Sequence, residues 1–184
     1  MQLPRRRRRA TLRFRVLGID PGLRVTGYGV IELGAKRPSL VEAGIVTPTV
    51  SKSLEGRLHE LYTGIVEVMV ATQPTHIVIE ALFSAYKNPL TAVMMGHARG
   101  VLCLAAEQHG VRVNTLGHSL VKRALVGSGA ARKEQVNAMV TQMLGLVSPP
   151  QPNDVSDALA LALAFSNVCE HEERFPVAMA LAQR

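Results

Sequence analysis

Four carboxylates stand out in this chain of 184 residues by where they fall rather than by number. Asp20 closes the largely apolar run FRVLGID just before Pro21 and Gly22, and Glu80 closes a second such run, HIVIE. Asp154 and Asp157 lie three residues apart, after Pro149, Pro150 and Pro152, at the start of an Ala- and Leu-rich segment. Each has an ordinary explanation when taken alone. Asp-Pro-Gly is turn chemistry, a strand-end Glu reaches solvent, and acids at a helix N-terminus cap it and complement its dipole. Their combination asks for more. If the two apolar runs are adjacent parallel strands, their C-terminal ends lie about 4.8 Å apart. A helix N-terminus bringing two further acids would then create a cluster that repels itself without cations. Mg²⁺ and Mn²⁺ take such oxygen ligands, and the lack of a Cys or His cluster argues against zinc. Two such ions about 4 Å apart suit in-line phosphodiester hydrolysis, one activating water and the other stabilising the leaving oxygen.

The overall charge has the opposite sign. Lys and Arg number 21 against 14 acids, a net charge of +7, which points to a polyanionic partner such as nucleic acid. An acidic site in a basic protein is the pattern of a nuclease. Lys122, Arg123, Arg132 and Lys133 flank the segment GSGA at a helix start, where backbone N–H groups and cationic side chains suit a phosphate. Arg5 through Arg9 form an unbroken, self-repelling block, so residues 1–13 are expected to be a basic arm. Aromatic residues make up only 4% with no Trp, which disfavours a stacking platform for single strands and favours recognition through backbone and shape.

Two cysteines far apart, Cys103 and Cys169, offer neither a disulfide framework nor paired zinc ligands, and fit a reducing cytoplasm. No run is expected to reach the roughly 18 apolar residues of a membrane span. The arginine block is not followed by the apolar stretch of a signal peptide. A soluble, cytoplasmic protein with no membrane association is therefore expected.

The elements that must position the acids follow from periodicity. Three β-type runs, FRVLGID, VTGYGVIEL and LVEAGIVTP, are separated by Pro-Gly and by a GAKRPS turn, as in an antiparallel meander. Leu54, Leu58, Leu61, Ile65 and Val68 recur at helical spacing up to Pro74. THIVIE then reads as a buried strand parallel to the first, since a helix carries the chain back to the sheet. A long helix over about 88–109, a strand VRVNTL, and helices at HSLVKRALV, KEQVNAMVTQMLGL and DVSDALALALAFSNV complete the chain. The fold class is α/β, a mixed five-stranded sheet of an antiparallel meander and then parallel strands, flanked by helices. Residues 14–168 form one domain, with a tail over 169–184.

These motifs resemble, in order and spacing, those of the RuvC crossover junction endodeoxyribonucleases. The resemblance rests on GIDPGLRVTGYGV, IVIEALF, GHARGV, VKRALVGSGAARKEQV and DVSDALALA. It implies a ribonuclease H-like fold, and an enzyme that resolves Holliday junctions in homologous recombination and repair by paired symmetric nicks, leaving 5′-phosphate and 3′-hydroxyl ends. It implies that Asp20, Glu80, Asp154 and Asp157 hold two Mg²⁺ or Mn²⁺ ions. Lys122 and Lys133 would lie near the phosphate backbone, and Phe83 at the crossover. A homodimer, and work alongside the RuvA and RuvB branch-migration complex, are also implied. Ala81 stands where the family often has Gln. Two rival readings are a ribonuclease H-like nuclease acting on RNA, which the VKRALVGSGAARKEQV segment argues against, and a non-catalytic nucleic-acid-binding protein whose acids are caps and turns.

Overall fold

The protein is described by a computed structural model over residues 14–34, 37–81 and 89–174, with side chains described as far as Cys169. The arginine arm and Phe83 lie outside the described residues.

Strands β1 (Phe14–Asp20), β2 (Thr26–Leu33) and β3 (Ser39–Val46) form the meander, followed by α1 (Leu54–Thr72) and β4 (His76–Glu80). Then come α2 (Pro89–Gln108), β5 (Arg112–Leu116), α3 (His118–Val126), α4 (Lys133–Leu144) and α5 (Asn153–Arg174). The five strands make one sheet in the order β3-β2-β1-β4-β5. β1 pairs antiparallel with β2 and parallel with β4, and β4 pairs parallel with β5. The expected mixed sheet is therefore the observed one. α5 continues past residue 168 to Arg174, six residues into the segment expected as a tail.

Strand periodicity decides which way the two strand-end acids point. Val16 and Val78 pack into a core shared with α3, α4 and α5, whereas Leu17, Ile19, Ile77 and Ile79 pack with α1 and α2 on the other face. Burial on both faces explains why these strands read as continuous apolar runs. Side chains alternate along a strand, so Asp20 shares the face of Val16 and Gly18, and Glu80 shares that of Val78. The β1–β4 register runs to Ile19 opposite Ile79, so Asp20 and Glu80 leave the sheet side by side.

Helix α5 lies closely over that face because glycines let it. A Cβ on Gly18 would overlap the Ala158 carbonyl oxygen, and one on Gly27 would overlap that of Asp154. The second contact seats the first turn of α5, and with it Asp154 and Asp157, over the start of β2. Gly27→Ala is expected to push that turn outward. Overpacking of this kind costs about 1–3 kcal/mol, so a melting temperature lowered by several degrees should accompany a loss of cleavage. Unchanged cleavage by this variant would show that the seating of α5 does not set the site.

One expectation needs correction. Helix α2 is long and apolar enough, with a mean hydropathy of 1.2, to match a membrane span by length and composition. Its apolar residues fall on two faces. Ala98, Leu102, Ala105 and Ala106 are buried against the sheet, while Leu90, Val93 and Leu104 are exposed at 64%, 54% and 52%.

Candidate active site

The turn after β1 is closed by its own side chains. Thr26, fully buried, donates its hydroxyl to the Gly22 carbonyl at 2.6 Å and accepts from the Gly22 N–H at 3.0 Å. Arg57 of α1 donates to the Leu23 carbonyl from the other side. Asp20 therefore projects from a fixed turn. Glu80 is fixed through its main chain, because Arg99 of α2 donates to the Glu80 carbonyl at 3.0 Å and to Thr115 Oγ1 at 2.6 Å. The ladder runs one residue further, with the Ala81 N–H bonded to the Leu116 carbonyl at 2.9 Å.

These supports build a cleft whose walls include Asp20, Glu80, Asp157, His118, Lys122 and Lys133. Asp154 borders an adjoining groove shared with Gly22, Arg24 and Arg57. Burial pushes the Asp20 carboxyl up from its ordinary 3.8 to about 7, reinforced by the negative charges of Glu80, Asp157 and Asp154, and Lys133 opposes this. Asp20 is thus close enough to feel the charges of the other three acids.

Two of them have cationic or polar partners. Lys133 Nζ lies 2.7 Å from Asp157 Oδ2, and His118 Nδ1 lies 3.1 Å from Glu80 Oε1. Among the described residues, no three His, Cys, Asp or Glu side chains close on a common point as metal ligands would. The donor set nevertheless fits a divalent ion. It consists of hard carboxylate oxygens, and Asp20, raised first by burial and then by its three acidic neighbours, is a carboxylate whose charge a bound cation would stabilise.

Of the basic residues singled out from sequence, Lys122 and Lys133 line the cleft, whereas Arg123 and Arg132 lie exposed beside it. The Arg132 main-chain N–H is bonded to Gln135 Oε1 at 2.9 Å, which starts α4 and aims Lys133 at Asp157. Sequence reading missed His118 and Arg99. A signal for His118 did exist, since it follows the strand next to β4 by two residues.

A mixed sheet with acids at the ends of two adjacent parallel strands, and two more on the helix crossing them, defines a nuclease of the ribonuclease H-like class. The family model described as "Crossover junction endodeoxyribonuclease RuvC" matches residues 16–165, and the chain belongs to that family of metal-dependent nucleases. It is 45% identical over 148 residues to the Rhodopirellula baltica enzyme, covering 80% of this chain and 83% of that one. It is 42% identical over 160 residues to the Dehalococcoides mccartyi enzyme, covering 87% and 93%. Thermus thermophilus RuvC in complex with a Holliday junction substrate superposes with a TM-score of 0.82 at 33% identity, over 86% of this chain and 96% of that one. The fold also extends to the yeast mitochondrial Holliday junction resolvase, with a TM-score of 0.64 at 12% identity over 88% of this chain and 81% of that one.

Proposed function

We infer that this chain resolves Holliday junctions by hydrolysing one phosphodiester bond per active site, with Asp20, Glu80, Asp154 and Asp157 holding two Mg²⁺ or Mn²⁺ ions. The observation that carries this is the adjacency of Asp20 and Glu80 beneath the acidic first turn of α5, with the Asp20 carboxyl pushed up to about 7. Such ions supply activation of water and stabilisation of the leaving oxygen. The protein's own side chains do the rest. The acids fix where charge can be neutralised, and Lys122 and Lys133 on the cleft wall attract the scissile phosphate. Lys133 also holds Asp157 in place at 2.7 Å. A bond forms from the water oxygen to phosphorus while the bond from phosphorus to the 3′ oxygen breaks. The water gives up a proton, the 3′ oxygen gains one, and the ends are a 5′-phosphate and a 3′-hydroxyl. In this reading Arg123 and Arg132 extend the basic surface along the backbone, Phe83 acts at the crossover, and the RuvA and RuvB complex supplies the junction.

Paired nicks require two active sites, and α2 supports a homodimer. Leu90, Val93, His97, Gly100 and Leu104 follow a three-four spacing along its exposed side, the pattern of a helix seam against a second helix. A second copy of the same stripe is self-complementary under two-fold symmetry. Val93→Glu with Leu104→Glu should give a monomer in analytical ultracentrifugation and uncouple the two nicks. A dimer that persists in the double variant would place the interface elsewhere.

The test of function offers a four-way junction, a linear duplex and an RNA–DNA hybrid to the protein with Mg²⁺, Mn²⁺ or a chelator. Metal-dependent, symmetric nicking of the junction alone is expected. Preferred cutting of the hybrid would favour the RNA-acting alternative, and binding without cutting would favour the non-catalytic one.

A further inference from the structure

Among the described residues, the Glu80 carboxylate has one side-chain partner from outside the acidic set. The β4–β5 register places Leu116 beside Glu80, Gly117 alone separates that strand end from α3, and His118 is the first residue of the helix. Its Nδ1 consequently lies 3.1 Å from Glu80 Oε1. A carboxylate oxygen accepts, so Nδ1 carries the proton and donates. One helical turn later Lys122 lines the same cleft, which makes this face of α3 a wall of the site. The other acids have different restraints. Asp20 is short and set by a closed turn, and Asp157 is held by Lys133. Glu80 has one more rotatable bond than an aspartate, and its side chain is 32% exposed, so its carboxylate needs a tether of its own.

We propose that His118 is a positioning residue of the nuclease site, holding Oε1 of Glu80 so that Oε2 is the oxygen presented to a divalent cation. This rests on the nuclease reading above and extends it to a residue outside the acidic set. Groups that orient metal-binding side chains typically matter by about 10- to 100-fold in metal affinity or activity. His118 itself is 54% exposed, so removing it should leave the fold intact.

The experiment compares wild type, His118→Ala and His118→Asn, since the Asn amide can donate from nearly the same place. Mn²⁺ affinity of the DNA-free protein is read by electron paramagnetic resonance, beside junction affinity, melting temperature and single-turnover cleavage. His118→Ala should bind Mn²⁺ about tenfold more weakly and cleave about tenfold more slowly. Junction affinity and melting temperature should not move, and His118→Asn should recover most of both losses. Unchanged Mn²⁺ affinity and rate in His118→Ala would overturn the proposal. So would equal losses in Ala and Asn, or weakened junction binding with normal Mn²⁺ affinity, which would make His118 a DNA contact. Wild type that neither binds Mn²⁺ nor cuts junctions would defeat the nuclease reading and this proposal with it. Wild type that does both, matched by His118→Ala, would remove His118 alone.

Discussion

Asp20→Asn is expected to abolish junction cleavage and, in metal-free buffer at pH 8, to make the protein more stable than wild type. The loss of activity follows from removing one of the charges proposed to hold the ions. Several kcal/mol of transition-state stabilisation corresponds to roughly 10³-fold in rate. The gain in stability follows from the Asp20 carboxyl, which burial and its acidic neighbours push from 3.8 to about 7. Between about pH 4 and pH 7 the folded protein holds a proton on Asp20 that the unfolded chain has released. Wild-type stability therefore falls as pH rises through that window and levels off above it. At pH 8 the buried charge costs at most about 4 kcal/mol, because each pH unit across the window is worth about 1.36 kcal/mol. Asn carries no such charge, so Asp20→Asn should melt at a nearly constant temperature across the window. Mg²⁺ should raise the wild-type melting temperature at pH 8 much more than at pH 5. A variant less stable than wild type at pH 8 would mean that the charge on Asp20 is already compensated within the protein.

The second large effect separates two explanations of Asp154 and Asp157. Asn caps a helix N-terminus about as well as Asp but lacks the charge a divalent ion needs. If the acids only cap α5, Asp154→Asn and Asp157→Asn should cost at most about 1 kcal/mol through the lost dipole interaction and leave cleavage nearly intact. If they are ligands, cleavage falls by orders of magnitude while stability holds or rises, because repulsion on Asp20 is relieved. Asp157→Asn also releases Lys133, whose Nζ lies 2.7 Å from Asp157 Oδ2, so junction binding should be retained or strengthened. Near-normal cleavage by Asp157→Asn in saturating Mg²⁺ and Mn²⁺ would take that residue out of the site.

The acidic set was legible because each member interrupts a pattern. Asp20 and Glu80 end apolar strands, and Asp154 and Asp157 follow a proline cluster at the head of a buried helix. The parallel direction of β4 was legible too, since the helix before it carries the chain back to the sheet, whereas its place beside β1 entered only as a condition that the observed order meets. Of the groups that hold these acids, Lys133 was singled out among the basic residues, but Arg99 and His118 were missed. Arg99 acts on a main-chain carbonyl across α2 and β4, a contact with no side-chain signature. His118 meets Glu80 only because the β4–β5 register and a one-residue turn bring it there. Helix α2 was legible as a long helix over about 88–109, but its match to a membrane span was not. Apolar residues on both its buried and its exposed faces blur the helical period and raise its hydropathy to that of a membrane span. Residue type and spacing alone did not tell Lys122 and Lys133 from Arg123 and Arg132; the resemblance singled out the two lysines, and α3 and α4 present them to the cleft.

The central claim is that four carboxylates act together to hold divalent ions. Its most direct test is the number of Mn²⁺ ions bound per protomer at pH 8, counted by electron paramagnetic resonance in wild type and in the Asn or Gln variants of Asp20, Glu80, Asp154 and Asp157. Two ions are expected in wild type with a four-way junction present, and a loss of at least one in every variant. Wild-type protein that binds no Mn²⁺ beside the junction, or variants that keep both ions, would contradict it.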